Sequence, residues 1–344
     1  MNQRQTSGGN STNYQVAGNL HTGISYRDAK EIAADVFRQN YMHLASEAAS
    51  LAEERAREVC DKFLNKLTEE SPESLNNARN PDFQRALFRV QEEFATTGDE
   101  DLGDLLVDML VDRAKQSGGS FRQVVLNEAL KTAPRLTSAH VAVLAAVFMA
   151  RYVNVNAVSI PQLYDTVREY WIPLVKGLNH PSDANMGHMA YAGCGSISLG
   201  VVTFTQLFLG RYAGLLTLGF EEEQYPWATD LKDKGVVMSC LRDPSKLQVA
   251  AVSLTDLENK LSTIGVGVHA GELKRLLEAN PIAGETIRDE ISSLGPEIKR
   301  FSEIWENSSM KSFDLTSVGI AIAHAHCRRI LGSSAMPPVD IWLS

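Results

Sequence analysis

Leu136-Thr-Ser-Ala-His-Val-Ala-Val-Leu-Ala-Ala-Val-Phe-Met-Ala150 runs for fifteen residues without a formally charged side chain. Thr137 and Ser138 at its start are good helix N-caps. A helix that is apolar all round its circumference has to be covered on every side. The stretch therefore predicts a core helix enclosed by other elements, and the sequence on both sides supplies further helices. Before it, helices are predicted from about Pro81 to Thr96, with Phe83, Leu87, Val90 and Phe94 on one face, then over 99–116 and 121–133. After it, Tyr164 to Leu178 reads as a helix interrupted by Pro173.

Nearer the N-terminus, Tyr26 to about Leu67 reads as one long helix. Ser25 and Asp28 resemble a capping box in which Asp replaces the usual Glu or Gln. Phe37, Tyr41, Leu44, Ala48 and Leu51 form a heptad-like seam, which shifts by one position to Ala52, Ala56, Val59, Phe63 and Leu67. Such a helix is either a coiled-coil partner or the longest helix of a bundle.

Met189 to Gly210 is a run of 22 uncharged residues, and after Arg211 the uncharged sequence resumes to Phe220. Its glycines and hydroxyl residues dilute the apolar density, so a buried central helix pair is expected; membrane insertion is the alternative. Gly210 and Gly214 form a GxxxG spacing suited to close helix contact.

A smaller unit is expected from about Asp230. Its elements are a strand over Lys246–Val252, a helix capped by Thr255, and helices over 272–279, 282–293 and 297–307. A strand-to-helix step follows at Phe313–Gly319, with the helix ending near Leu331, and a terminal strand over Val339–Leu343. The step resembles that of winged-helix proteins. Its recognition helix would be 297–307, where Lys299 and Arg300 face Glu297, Glu303 and Glu306, a balance that disfavours phosphate contact. The expected fold is mainly α: a long N-terminal helix, a multi-helix bundle and a small C-terminal α+β, winged-helix-like unit. The expected segments are 1–24, 25–225 and 230–344.

The chain has 344 residues, 44% of them hydrophobic, a formal net charge of −9 and a mean hydropathy of −0.15. That length can bury a sizeable core, and the acidic balance argues against sequence-independent nucleic-acid binding. Cys60, Cys194, Cys240 and Cys327 form no CxxC pair, so neither a zinc site nor a disulfide framework is signalled. Residues 1–24 lack the basic start and apolar stretch of a secretory signal; a cytoplasmic location is expected, with membrane association on activation as the alternative. No motif calls for a cofactor.

Two clusters invite a catalytic or metal reading. Asp101, Asp104, Asp108 and Asp112 share one helix face, where a divalent cation would relieve their repulsion; a solvated face is the preferred reading, because no second acidic helix completes a site. His188 and Cys194, with Tyr191 between them and His180 and Asp183 upstream, supply a possible base and nucleophile. Close packing of small residues is preferred there. His324 and His326 lie two apart on a helix and make a poor metal pair.

The first 24 residues carry one charged side chain, Arg4, and sixteen of them are Asn, Gln, Gly, Ser or Thr. Such a tract cannot build a core and is either an unstructured start or a self-pairing segment whose amides stack in ladders. Tyr14-Gln-Val-Ala-Gly-Asn19 resembles the core of RIP homotypic interaction motifs and their bacterial amyloid-signalling counterparts. There a Gln lies between apolar residues within a Gly/Asn-rich frame; here Ala17 separates Val16 from Gly18. The resemblance implies self-assembly through Asn13, Tyr14, Gln15, Val16, Gly18 and Asn19.

Most of the chain resembles an uncharacterised bacterial family of helical proteins. The shared pattern is the Asn/Gln/Gly start, Ile32-Ala-Ala-Asp-Val-Phe37, Tyr191-Ala-Gly-Cys194 and Thr316-Ser-Val-Gly-Ile-Ala-Ile-Ala323. The second half is distantly similar to alpha-type abortive-infection proteins. These resemblances imply a role in bacterial defence and carry over no catalytic residue. The expectation is a non-enzymatic interaction protein whose partner is itself or another protein with a like tract. A membrane-disrupting effector acting through 189–220 is the alternative, and an enzyme centred on His188 and Cys194 the third reading.

Overall fold

A computed structural model describes residues 25–40, 46–116, 119–264 and 269–343. The tract residues Asn13, Tyr14, Gln15, Val16, Gly18 and Asn19 lie outside them. Among the described residues the chain is mainly helical, with two small antiparallel sheets.

Instead of one long N-terminal helix there are two, α1 (Tyr26–Asn40) and α2 (Ser46–Glu70). They lie side by side and antiparallel: Lys30 pairs with Asp61 at 2.7 Å and Arg38 with Glu53 at 3.1 Å. The second expected seam is buried throughout, with Ala52, Ala56, Val59, Phe63 and Leu67 in the core; of the first, Phe37 is buried beside Ala52 and Ala56, Leu51 is exposed, and Tyr41 and Leu44 lie outside the described residues.

A 3-10 turn (Pro72–Arg79) leads to α3 (Pro81–Thr97), α4 (Glu100–Ala114), α5 (Phe121–Thr132) and α6 (Ser138–Tyr152). The N-cap side chains are Asn80 for α3, Asp99 for α4, Ser120 for α5 and Thr137 for α6. As its composition requires, α6 is buried continuously from Val143 to Ala150. Next come α7 (Ile160–Thr166), a π-helical turn (Val167–Trp171) and α8 (Ile172–Val175) in one run. The wide turn sits just before Pro173, which has no N–H to give and whose ring would crowd a regular α-helical carbonyl.

The uncharged stretch beyond is not a buried helix pair. It holds the end of α9 (Asp183–Tyr191), strand β1 (Gly195–Ile197), a loop and α10 (Phe204–Tyr212). Tyr191, Ile197, Leu199 and Val201 are exposed. Among the described residues no helix is long and apolar enough to cross a membrane. The GxxxG pair does not join two helices either. α10 stops before Gly214, whose missing side chain lets Ala251 approach: a Cβ there would lie 1.8 Å from the Ala251 carbonyl oxygen.

The remaining elements are β2 (Val237–Ser239), β3 (Leu247–Val249), α11 (Leu254–Ile264), α12 (Ala270–Glu278), α13 (Gly284–Ser292), α14 (Pro296–Asn307), β4 (Phe313–Leu315) and α15 (Ser317–Leu331). Ser253, rather than Thr255, precedes α11 and accepts from the Asp256 N–H. The strand-to-helix step is present as β4 and α15, but β4 pairs with β1, with Gly195 opposite Leu315, and not with a local wing hairpin. The expected terminal strand is a 3-10 turn, Val339–Ile341. Val339 and Leu343 anchor it in the core, and the Trp342 indole N–H donates to the Tyr152 carbonyl at 2.9 Å.

The hydrophobic clusters do not follow the expected boundary at residue 230. One core runs from Ala29 to Leu216 and resumes from Ile282 to Leu343, with α15 packed on α4, α5, α6 and α8. A separate core of Phe220, Ala228, Leu231, Val237, Leu247, Leu257, Leu273 and Leu277 belongs to the segment between. That segment leaves and rejoins the body through a paired neck: Leu218 N–H donates to Asn280 O and Ile282 N–H to Leu216 O, both at 2.8 Å. Burial of the α15 face against α6 draws the last sixty residues into the main body, so the smaller unit is an insertion rather than a C-terminal domain.

Candidate functional site

Between the inserted unit and the main body lies a cleft of about 750 Å³, within the size range of small-molecule sites. The body contributes the loop after α6, including Asn154, Asn156 and Val158, and the end of α10 with Arg211. The insertion contributes Met238 and Leu241 near β2, Gln248 in β3, and Asp256, Asn259 and Lys260 of α11.

Arg211 is the unusual group. Its Nε donates to Asn154 Oδ1 at 2.7 Å and its Nη1 to the Leu207 carbonyl at 3.1 Å, both neutral acceptors. Burial lowers its pKa, the neighbouring Tyr212 acting the other way; an arginine keeps its charge regardless. Several other part-buried or buried guanidiniums meet carboxylates: Arg113 meets Asp82, Arg151 meets Asp314, Arg242 meets Glu290, and Arg328 meets Glu70 and Asp112, whereas Arg55, like Arg211, donates to a neutral carbonyl, that of Ala95. Among the described residues the one cleft carboxylate, Asp256, pairs with Lys260 at 3.4 Å and accepts from the Val252 N–H. Among the described residues Arg211 has no carboxylate within ion-pair distance, and the cleft presents an uncompensated positive charge. The signal in the sequence was faint: one Arg inside a 32-residue uncharged stretch.

The clusters singled out in the sequence resolve differently. The aspartates of α4 are a solvated face at one end only, where Asp101 and Asp104 are exposed to water. Asp101 pairs with Arg329 at 2.9 Å, Asp104 with Lys62 at 3.3 Å, Asp108 with Lys66, and Asp112 with Arg328 at 2.9 Å. Asp108 and Asp112 are buried. Cations from α2 and α15 thus relieve the repulsion that a metal was considered for. Among the described residues no group of three or more His, Cys, Asp or Glu is placed to hold a metal.

His188 and Cys194 are not brought together as base and nucleophile. The His188 ring stacks on His140, with centroids 5.2 Å apart, and its Nε2 lies 2.9 Å from the Arg135 carbonyl. Cys194 is fully buried, and burial pushes its thiol up to about 11, the opposite of what thiolate chemistry needs. His180 and Asp183 hold the start of α9 to residues Asn307 and Ser309. The His324 ring reaches the Pro337 carbonyl at 2.8 Å, and burial lowers the pKa of both His324 and His326.

The segment around Cys194 instead forms a junction with the start of α15. α9 closes in a Schellman motif: Gly193 takes φ +83°, its N–H bonds the Ala190 carbonyl, and the Cys194 N–H bonds the Met189 carbonyl. Thr316 then donates its hydroxyl to Gly193 O at 2.6 Å and its N–H to Cys194 O at 3.0 Å. Gly319 rests against the same carbonyl. Tyr191–Cys194 and Thr316–Ala323, two sequence patterns over a hundred residues apart, therefore meet in one packed joint.

A protein-family model, for a family of unknown function, matches residues 23–343. The chain belongs to that family. The match spans both cores, the joint and the cleft, and leaves out nearly all of the polar tract. Neither the curated proteins nor the solved structures gave a match to the chain.

Proposed function

We propose that this member of the family is a non-enzymatic interaction protein of bacterial antiviral defence, in which the tract 1–24 assembles with like tracts and the folded body carries it. The observation that carries this reading is the join between the two. Ser25 N–H donates to Asp28 Oδ2 at 3.1 Å and Asp28 N–H to Ser25 Oγ at 3.2 Å, a reciprocal capping box. The residue that follows the tract is therefore the capped start of a helix packed on α2 and α3. Stacking tracts would gather bodies at a defined point. The burial of Cys194 and the separate engagement of His188 favour a role without chemistry at that pair.

A peptide of residues 1–24 tests the reading. It should form fibrils with the ~4.8 Å cross-β spacing, and Gln15→Pro should prevent them, because proline removes a ladder donor. A peptide that stays monomeric at millimolar concentration would remove the main support.

A second reading rests on the exposed apolar residues Tyr191, Ile197, Leu199 and Val201. These favour contact with a lipid surface rather than insertion of a helix. Flotation of the full chain with anionic vesicles, lost in Leu199→Ser, would support it; failure to float would remove it.

A further inference from the structure

We propose that the cleft between the inserted unit and the main body binds a small organic phosphate of mononucleotide size, with its phosphate on Arg211. The charge balance points to an anion. Among the described residues Arg211 is part-buried yet meets only the neutral acceptors Asn154 Oδ1 and Leu207 O, while Asp256 is occupied by Lys260. Partly desolvating a guanidinium without a carboxylate carries a cost, and a planar fork of donors suits a phosphate.

The rest of the cleft fits the body of such a ligand. Val158, Met238 and Leu241 line it although 69%, 37% and 41% exposed, giving apolar surface for a flat or hydrocarbon group. Asn156 and Asn259 add exposed amides that can donate and accept on a base or sugar. The walls come from two separately cored units, so a bound ligand would bridge them.

Isothermal titration calorimetry on the full chain tests it. The probes are the four ribonucleoside 5′-monophosphates, the matching nucleosides and inorganic phosphate. At least one monophosphate should bind, with the nucleoside and the phosphate alone each weaker by roughly tenfold or more. Arg211→Gln, which keeps a donor for Asn154, should weaken that monophosphate roughly tenfold or more. Should Arg211→Gln fail to fold, Asn156→Asp decides: Asn156 is exposed, and an added negative charge should weaken the phosphate ligand while leaving thermal stability unchanged. The proposal is overturned if no monophosphate binds the wild-type chain, if the nucleosides bind equally well, or if affinity survives Arg211→Gln or, where that variant does not fold, Asn156→Asp.

Discussion

Arg328 in α15 and Asp112 in α4 stand 216 positions apart in the chain and 2.9 Å apart in space. The same guanidinium takes Glu70 of α2 at 2.8 Å, and Lys115 closes the group onto Glu70 at 2.7 Å. Three helices are thus tied at a point where Arg328 and Asp112 are buried and Glu70 reaches the surface. Removing the cation leaves the buried Asp112 carboxylate without its main partner, while Glu70 keeps Lys115, so Arg328→Ala should lower the unfolding free energy by about 3 kcal/mol in urea titrations. A loss below about 1 kcal/mol would mean the network contributes little. Burial alone would raise the Glu70 pKa, but the Lys115 hydrogen bond and the Arg328 charge outweigh it and the net shift is downward. This contribution is present above the unfolded value, about 4.3, and is lost as the pH falls through the lower folded value.

His326, two residues before Arg328, should dominate the dependence at milder acidity. Burial, with help from the Arg329 charge, pushes its pKa down to about 4. The folded chain favours the neutral ring, so the stabilisation is present above the unfolded value of about 6.5 and is lost as the pH falls towards 4. His326→Gln should flatten the stability profile over that window. His140 and His324 are lowered in the same direction by burial, so a shallower slope should remain. An unchanged slope would contradict the assignment.

Gly319→Ala separates packing from helix propensity. Alanine in a helix interior normally gains up to about 1 kcal/mol over glycine. At Gly319 a Cβ would lie 1.9 Å from the Cys194 carbonyl oxygen, and α15 would have to move off the joint. The expected outcome is a net loss of about 1–3 kcal/mol by thermal or urea unfolding. A stabilised variant would show that the joint yields freely.

The inserted unit is held by more than its neck. Arg242 makes two hydrogen bonds to Glu290 of α13, at 2.8 and 2.9 Å, and a third to the Leu215 carbonyl at 2.9 Å. Glu290→Gln should loosen this attachment. Amides of β2 and β3 should then exchange roughly tenfold faster or more, while those of α6 keep their wild-type protection. Equal acceleration in both places would indicate that the two cores unfold as one.

Elements whose signals are local were legible in the sequence. α3 to α6 announce themselves by caps and apolar spacing, the strand-to-helix step at Phe313–Gly319 by its change of period, and the Ser25–Asp28 box by two residues. Pairings over long separations were not. Nothing near Asp112 names Arg328, and nothing near Gly195 names Leu315 as its partner across the sheet. The uncharged composition of 189–220 suggested burial, yet it encodes a helix end, an edge strand and an exposed loop, because β1 needs only one covered face. The alternation in Val339–Leu343 has the period of a strand, but a 3-10 turn buries Val339 and Leu343 equally well. Arg211 gave only a faint local sign, a lone charge in an uncharged stretch, since its partner Asn154 comes from the α6 loop 57 positions away.

The central claim, that the tract drives assembly and the body does not need it to fold, is tested most directly by comparing the full chain with a deletion of residues 1–24. Sedimentation and thermal unfolding should be measured on both. Large thioflavin-positive species are predicted for the full chain, and a non-assembling deletion variant with the same melting temperature, since a polar tail contributes little to a core. A full chain that sediments like the deletion variant, or a deletion variant that assembles equally well, would contradict the account.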